Sequence, residues 1–537
     1  MKKIFLSIAL LCAASWVAPT VATAQNLVPI PLKMASAQGQ PLVWQNVGQI
    51  NCPDELANEK AHLLRILADR AGITTLNDNG TAQITLSIDT SLNDDEAYTL
   101  SIDENGVNIA GKTAAGVFYG IMTMEQLMID DNASARCIET NPITIEDAPR
   151  THVRELMVDP CRIFVPYERL KEIVPEMARY KLNSIHLHLV DDQAWRIEIK
   201  KYPQLIEKST SRVGMDDMLI PISGYYTQEQ MKDFVKYCAQ YHVMVVPEIE
   251  MPGHEVAAIH AFPELTCGGK QVPIRITCGV SNELLCPGND FTYEFLGNVF
   301  RELADVFPCK YVHLGGDEAG NPALDCWTTC EKDKKLKKKL GITTTDRSEN
   351  WKLQKYMFDR VIDTLRTKYD KIPMFWYETD FKEIQEGCVT FAWRNGLTEP
   401  AVQAAIDNNA KIMMCPGDYC YFDYPMAKGD MPEVNWGMPV RTFETVYQFD
   451  PGWGKGEEFE KNNLFGVAGT LWSESINSPE RIFYQAYPRS LILAEAGWSA
   501  QKNRSWKGFL KRSRPLMLDL QHRGITFSMP TEYIDLQ

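Results

Sequence analysis

Asp317 and Glu318 stand side by side behind two glycines, Gly315 and Gly316. On a regular strand two neighbouring carboxyls point to opposite faces. At a strand end loosened by glycine, both can turn into one mouth. Crowding then raises one pKa and leaves the other group charged, the state that an acid beside a developing positive charge requires. Further acids recur near the ends of apolar runs: Asp159, Asp191, Asp192, Glu248, Glu250, Glu378, Asp418 and Glu474. Trp195, Trp376, Trp393 and Trp472 are interleaved with them. One acid at a strand end is ordinary capping of the next helix, but acids at most ends, set among indoles, describe an acidic pocket walled with aromatics. Carboxylates accept bonds from hydroxyls and indole faces pack on pyranose C–H groups, so the pocket suits a sugar. Cleaving a glycoside there needs a proton donor at the leaving oxygen and a carboxylate to support positive charge.

Other reactive residues fit metal chemistry less well. His186 and His188 share one strand face, and one of them reads equally as a hydrogen-bonded core residue. His254, after Pro252-Gly253, is assigned to the site. His254-Glu255 with His260 has a spacing of six rather than the four of a zinc-protease helix. The cysteines include Cys326 and Cys330, Cys415 and Cys420, and the group Cys267, Cys278 and Cys286. They are too sparse for a disulfide-built scaffold and lack the close CxxC-like pairs of a zinc site. No cofactor and no metal are expected. The basic run Lys332–Lys339 reads as a solvated face.

Eight apolar, strand-like runs position these groups: Val153–Pro160, Asn183–Asp192, His242–Met251, Tyr311–Glu318, Ile372–Glu378, Cys388–Arg394, Lys411–Asp418 and Leu464–Glu474. Helical spacing separates many of them, over Pro166–Lys181, Thr227–Gln240, Asp290–Phe307 and Asn350–Tyr369. Alternating strands and helices predict a (β/α)8 TIM barrel with the acids at its C-terminal mouth. An open doubly wound sheet is the weaker alternative, since no Gly-x-Gly-x-x-Gly sits at a strand-to-helix junction. The barrel is assigned to residues 149–537 with C-terminal helices. Residues 25–148 read as a small α/β accessory domain, with strands at Ala71-Gly-Ile-Thr-Thr, Ala82–Ile88, Tyr98–Ile102, Gly106–Gly111 and Asn141–Asp147, and a helix over Thr113–Asp130. Residues 1–24 read as a secretory signal peptide: Lys2-Lys3, the apolar stretch Ile4–Ala14, then Ala22-Thr-Ala24.

Tyr311-Val-His-Leu-Gly-Gly-Asp-Glu resembles the signature of the family 20 glycoside hydrolases, the β-N-acetylhexosaminidases. His186-Leu-His-Leu-Val-Asp-Asp-Gln-Ala-Trp-Arg, Pro247-Glu-Ile-Glu-Met-Pro-Gly-His, Tyr421-Phe-Asp and Leu471-Trp-Ser-Glu resemble further blocks of that family, in order, and residues 96–127 resemble its accessory domain. The resemblance implies a retaining mechanism in which the sugar's own 2-acetamido carbonyl attacks the anomeric carbon and forms an oxazolinium. It implies Glu318 as general acid and then base, and Asp317 as the group that orients and stabilises the acetamido nitrogen. Tyr421 would bond the acetamido oxygen, and Trp376, Trp393 and Trp472 would enclose the sugar, with Trp436 as a rim aromatic. Arg154, Asp423 and Glu474 would hold sugar hydroxyls, while Asp191, Glu250 and His254 would support the acid. Two departures stand out: Glu155 where the family usually has glycine, expected to alter packing beside the sugar, and Glu250 where it commonly has aspartate.

The 537 residues carry 55 Lys plus Arg against 70 Asp plus Glu, a formal charge of -15, which argues against a polyanion binder. The expectation is an exported, periplasmic or secreted, exo-acting β-N-acetylhexosaminidase that takes a carbohydrate substrate. An outer-membrane lipoprotein is the weaker alternative, because Cys12 follows Leu11 rather than a small residue. No nucleic acid and no membrane span are expected, and monomer or homodimer stays open. A lacto-N-biosidase-like exo-hydrolase and a non-catalytic carbohydrate-binding barrel are the alternatives.

Overall fold

Alternation of apolar and polar residues lays down the first layer. The computed structural model describes residues 26–129, 136–214, 221–319, 326–343, 347–378, 383–430, 438–474 and 476–536. The leader 1–24 and Trp436 lie outside these residues. Six strands make one sheet: β1 (Lys33–Ser36), β2 (Val47–Asn51), β3 (Ala82–Ile88), β4 (Tyr98–Asp103), β5 (Gly106–Gly111) and β6 (Ile143–Asp147), in the order β1-β6-β4-β5-β3-β2. Helices α1 (Ala57–Ile66) and α2 (Ala114–Leu127) accompany it, α2 lying on β4 and β5. The Thr113 hydroxyl accepts the Ala115 N–H and caps α2. One expected strand is absent: Leu67–Ala71 forms a wide helical turn that extends α1, and Gly72 ends it at φ +69°. Ala-Gly-Ile-Thr-Thr has strand-like residues, but its glycine serves a left-handed helix cap.

The second layer is the closed barrel. Its strands are β7 (Val153–Val158), β8 (Ser184–His188), β9 (Met244–Glu248), β10 (Tyr311–His313), β11 (Ile372–Trp376), β12 (Val389–Ala392), β13 (Lys411–Met414) and β14 (Leu464–Leu471). They follow one another in sequence around the ring and β14 closes on β7, all in parallel. All eight fall inside the expected runs. Every residue of β7, β8 and β12 is buried, as parallel strands covered on both faces require. Around them lie α3 (Tyr167–Arg179), α4 (Gln228–Ala239), α5 (Asp290–Val306), α6 (Glu331–Lys339), α7 (Trp351–Tyr369), α8 (Thr398–Asp407), α9 (Arg489–Trp498) and α10 (Trp506–His522). Helix α4 starts in a capping box, Thr227 and Gln230 each accepting the other's backbone N–H.

Among the described residues no helix is long and apolar enough to cross a membrane. The accessory layer is tied to the barrel by buried charge. Lys181 Nζ meets Asp147 Oδ2 at 3.1 Å, and Trp498 Nε1–H donates to the same oxygen at 2.9 Å.

Candidate active site

Three consecutive features turn the two carboxyls inward. Gly315 and Gly316 have φ of +61° and +103°, and Glu318 itself sits at +58°. The last of these is uncommon for a residue with a side chain and cancels the strand alternation that would have aimed Glu318 away from Asp317. Its amide is held by the Glu378 carboxylate, which accepts the Glu318 N–H at 2.9 Å. Gly315 has a second reason to lack a side chain: a Cβ there would lie 1.7 Å from Glu250 Oε2. The longer side chain at position 250 is thus accommodated over a bare backbone, and its Oε2 accepts the Gly316 N–H at 3.1 Å.

Both carboxyls line a cavity of about 490 Å³ together with Arg162, His254, Trp393, Tyr421, Asp423, Trp472 and Glu474, a volume typical of small-molecule sites. Trp393 and Tyr421 are stacked, with centroids 6.5 Å apart and planes at 15°, and Tyr421 lies 6.4 Å from Trp472. Trp376 lies beneath rather than in this wall. It is buried against Trp472 at 5.7 Å, and its Nε1–H donates to Glu248 Oε1 at 2.7 Å. Burial keeps the Tyr421 phenol protonated well above its ordinary range, so it can donate a hydrogen bond to an acyl oxygen.

Arg154 is not part of this pocket, contrary to the sequence expectation. It is the second residue of β7, level with Val467 near the start of β14, and therefore at the barrel's N-terminal end. Its guanidinium is fully buried, pairs with Glu96 at 2.6 Å, donates to the Lys181 and Thr151 carbonyls, and lies 4.8 Å over the Trp498 ring. It clamps the accessory domain to the barrel floor. The arginine that reaches the pocket is Arg162, beyond the C-terminal end of the same strand. It pairs with Asp191 at 2.6 Å and Asp159 at 3.0 Å, and it stands 3.9 Å from Glu474 and 5.2 Å over Trp472. The two arginines separate experimentally. Arg162→Lys keeps the charge but loses the planar fork, and kcat/KM should fall by about 10- to 100-fold, with a smaller loss of melting temperature than removal of a buried charge. Arg154→Ala breaks a buried pair and should cost about 3 kcal/mol of stability, with near-normal kcat in the protein that remains folded. Steady-state kinetics and thermal melts on both variants check this.

Below the pocket, imidazoles and carboxylates alternate down the barrel axis. Glu155 Oε1 meets His186 Nδ1 at 3.2 Å, and His186 Nε2 meets Glu248 Oε2 at 3.1 Å. Glu248 Oε2 meets His188 Nδ1 at 2.5 Å, and His188 Nε2 meets Asp191 Oδ2 at 2.8 Å. Asp191 Oδ1 then holds His254 Nδ1 at 3.1 Å, and His254 Nε2 faces Glu318 at 3.4 Å and Asp317 at 3.6 Å. Burial alone would strip the protons from these histidines, yet flanking carboxylates raise His186 to about 9, His188 to about 10 and His254 well above its ordinary value. Both His186 and His188 therefore belong to this buried column. Glu155 also sits deep in it, accepting the Ser184 hydroxyl at 2.7 Å, and does not border the sugar pocket as expected.

The two carboxyls differ in charge preference. Burial pushes Asp317 up, with the nearby Glu318 adding to the rise against the pull of His254. Burial also pushes Glu318 up, but the His254 hydrogen bond and charge, with Arg394 and Arg162, bring it below its usual range. Burial and the acids around it hold Glu250 well above the carboxylate range. Asp423 and Glu474 are likewise raised, chiefly by burial.

Arg394 escaped the sequence reading of the site, and Glu378 was read only as one of the acids at strand ends. Arg394 stands 3.9 Å from Glu318, pairs with Glu378 at 3.0 Å and covers Trp393 at 4.7 Å. Glu378 is raised to about 7, chiefly by burial. The signal for both was their place at strand ends, which by itself assigns no role.

A profile described as "Glycosyl hydrolase family 20, catalytic domain" matches residues 152–501, and one described as "Glycosyl hydrolase family 20, domain 2" matches residues 24–148. The chain belongs to glycoside hydrolase family 20. A beta-hexosaminidase of Akkermansia muciniphila is 35% identical over 460 residues, 85% of this chain and 87% of the relative. One from Porphyromonas gingivalis is 32% identical over 94% of this chain and 64% of its own length. The crystal structure of a GH20 exo β-N-acetylglucosaminidase from Vibrio harveyi, in complex with N-acetylglucosamine, superposes with a TM-score of 0.82. It is 27% identical and covers 95% of this chain and 79% of that chain. The alternating polar column of Glu248, His188, Asp191 and His254 thus sits under the large pocket at the barrel mouth of a family 20 glycoside hydrolase.

Proposed function

We propose that Glu318 and Asp317 divide the work of an exo-acting β-N-acetylhexosaminidase, with the substrate supplying the nucleophile. The observation that carries this reading is the shared imidazole: both carboxyls face His254 Nε2 within 3.6 Å. Neighbours arranged in this way share one proton and one charge, whereas a double-displacement pair flanks the sugar ring with an acid and a nucleophile. An acetamide lying between Tyr421 and Asp317 presents its carbonyl to the anomeric carbon at near-attack distance, removing much of the entropic cost of the step. Tyr421 O–H would orient the acyl oxygen and Asp317 the N–H. Glu318, the outer carboxyl, would give its proton to the leaving oxygen and later take one from water. Arg162, Asp423 and Glu474 hold hydroxyls at the closed end, which favours removal of one terminal sugar. The exported state of the chain is also proposed, supported by Lys2-Lys3, the apolar stretch after them and the small-residue cleavage site.

The protein's own groups favour the proton on Asp317, the reverse of what the reaction needs. Both carboxyls face His254, so the pair titrates as a unit. Substrate reverses the preference: an acetamide N–H favours the Asp317 anion, while a sugar over Glu318 removes water and favours its acid form. A panel of aryl β-GlcNAc, β-GalNAc, β-glucoside and lacto-N-bioside substrates tests the reading. Turnover of both acetamido monosaccharides is expected. Equal cleavage of the β-glucoside would remove the acetamide from the mechanism.

Glu378 sets a further expectation. Its ionised carboxyl pairs with Arg394 and adds negative charge near Glu318. Glu378→Gln frees Arg394 toward Glu318 and deletes that charge, and both changes lower the pKa of the catalytic pair. The alkaline limb of kcat/KM should move to lower pH by about half a unit to one unit, measured across pH with an aryl β-GlcNAc substrate. An unmoved limb would detach Glu378 from the pair.

A further inference from the structure

Beside the active site, three cysteines far apart in sequence converge on one buried carboxylate. Cys267 lies in the loop that follows His254, Cys286 lies just before α5, and Cys330 caps α6, whose first turn carries the fully buried Asp333. Donor atoms of Cys267, Cys286, Cys330 and Asp333 all fall within 4.8 Å of one another. Cys286 Sγ and Cys330 Sγ are 3.7 Å apart. A tetrahedral cation with Zn–S bonds of about 2.3 Å places its sulfurs about 3.8 Å apart, whereas a disulfide requires about 2.05 Å. Cys286 Sγ stands 3.4 Å from Asp333 Oδ1, and Cys267 Sγ is 2.9 Å from Oδ2. A further bond to this carboxylate comes from the Gly288 N–H at 2.7 Å, and the Cys330 thiol also bonds it. Cys326 also hydrogen-bonds with Cys267 from outside the set. A buried carboxylate whose partners are mostly thiols is poorly compensated by weak S–H donors, and a bound divalent cation would neutralise both.

We propose that Cys267, Cys286, Cys330 and Asp333 form a structural site for a soft divalent cation of the zinc class, with Cys326 outside the first set of ligands. The site would staple the loop that runs from His254 through Gly279 and Val280, which line the pocket, to Cys286 onto the start of α6. These segments already share a small core in which Leu284, Ala319, Trp327 and Leu336 pack together, and Trp327 Nε1–H donates to the Leu285 carbonyl at 3.0 Å. Ligand intervals of 19 and 44 residues hide the site from any search for close cysteine pairs.

The test uses the full mature chain purified after growth with zinc. Elemental analysis should find about one zinc per chain, as a closed four-ligand site holds. Cys286→Ala and Cys330→Ala should each lose it, while Cys326→Ala should retain it. Because ligand variants can fail to fold, the wild-type protein is also stripped with a chelator and given Co(II) alone. A tetrahedral thiolate site then gives intense visible bands and a sulfur-to-metal charge-transfer band, and its ligand thiols react with an alkylating agent only after stripping. Wild-type protein that contains no zinc and gives no cobalt spectrum would overturn the proposal. So would intact mass and peptide mapping that find these cysteines in disulfides.

Discussion

Glu318→Gln is expected to lower kcat for a β-GlcNAc substrate with a poor leaving group by about 10²- to 10⁴-fold, the usual range for a positioned general acid. The amide keeps the size of the side chain and its place beside His254 and Arg394 but cannot give up a proton to the glycosidic oxygen. The loss must therefore depend on the leaving group. A dinitrophenolate departs without protonation, so formation of the oxazolinium should be nearly unimpaired for that aglycone. The second step should remain slow, because no base is left to activate water. A burst of phenol followed by slow turnover is the expected trace. A uniform loss across leaving groups, without a burst, would mean that Glu318 acts through positioning alone. The fold should survive, since the Glu318 backbone amide still donates to Glu378 and the side chain is partly open to the pocket.

The sequence reading placed the barrel, and Asp317 and Glu318 at its mouth, for a physical reason and lost one arginine for another. Eight buried parallel strands read as near-continuous apolar runs, and their order around the ring repeats their order in the chain. The glycines before Asp317 announced a departure from strand geometry, although the left-handed conformation of Glu318 that completes it leaves no mark in residue type. Arg154 lies on β7 and Arg162 just past its end, and only their position relative to that C-terminal end tells them apart. The rule that placed the acids at the barrel mouth also places Arg154 at the floor and Arg162 at the pocket. The six-residue interval from His254 to His260 argued only against a helical zinc motif. The convergence of Cys267, Cys286 and Cys330 is a tertiary event that spacing along the chain does not encode. Of the column from Glu155 to His254, the family resemblance implied only Asp191 and His254 as supports of the acid. The rest read as scattered histidines and acids, because the column's continuity depends on which strands become neighbours.

Asp317→Asn should be nearly as damaging, by a different route. The acetamido nitrogen gains positive charge as its carbonyl attacks the anomeric carbon, and the Asp317 carboxylate lies where that charge develops. A neutral amide still orients the N–H but loses most of the electrostatic stabilisation, a change worth about 10²- to 10³-fold in kcat. This loss belongs to the transition state and the oxazolinium more than to bound substrate. A bicyclic analogue of the intermediate should therefore lose affinity by nearly the same factor as kcat/KM, while the product sugar loses far less. The pH profile supplies an independent check. In the wild type two carboxyls share the titration; in the variant Glu318 alone remains, without the neighbouring negative charge that Asp317 contributes. The acidic limb set by ionisation of the pair should vanish, and the alkaline limb should move to lower pH. If analogue and product affinities fell equally and both limbs stayed in place, Asp317 would be a packing residue and the charge on the acetamide would have to be met elsewhere in the pocket.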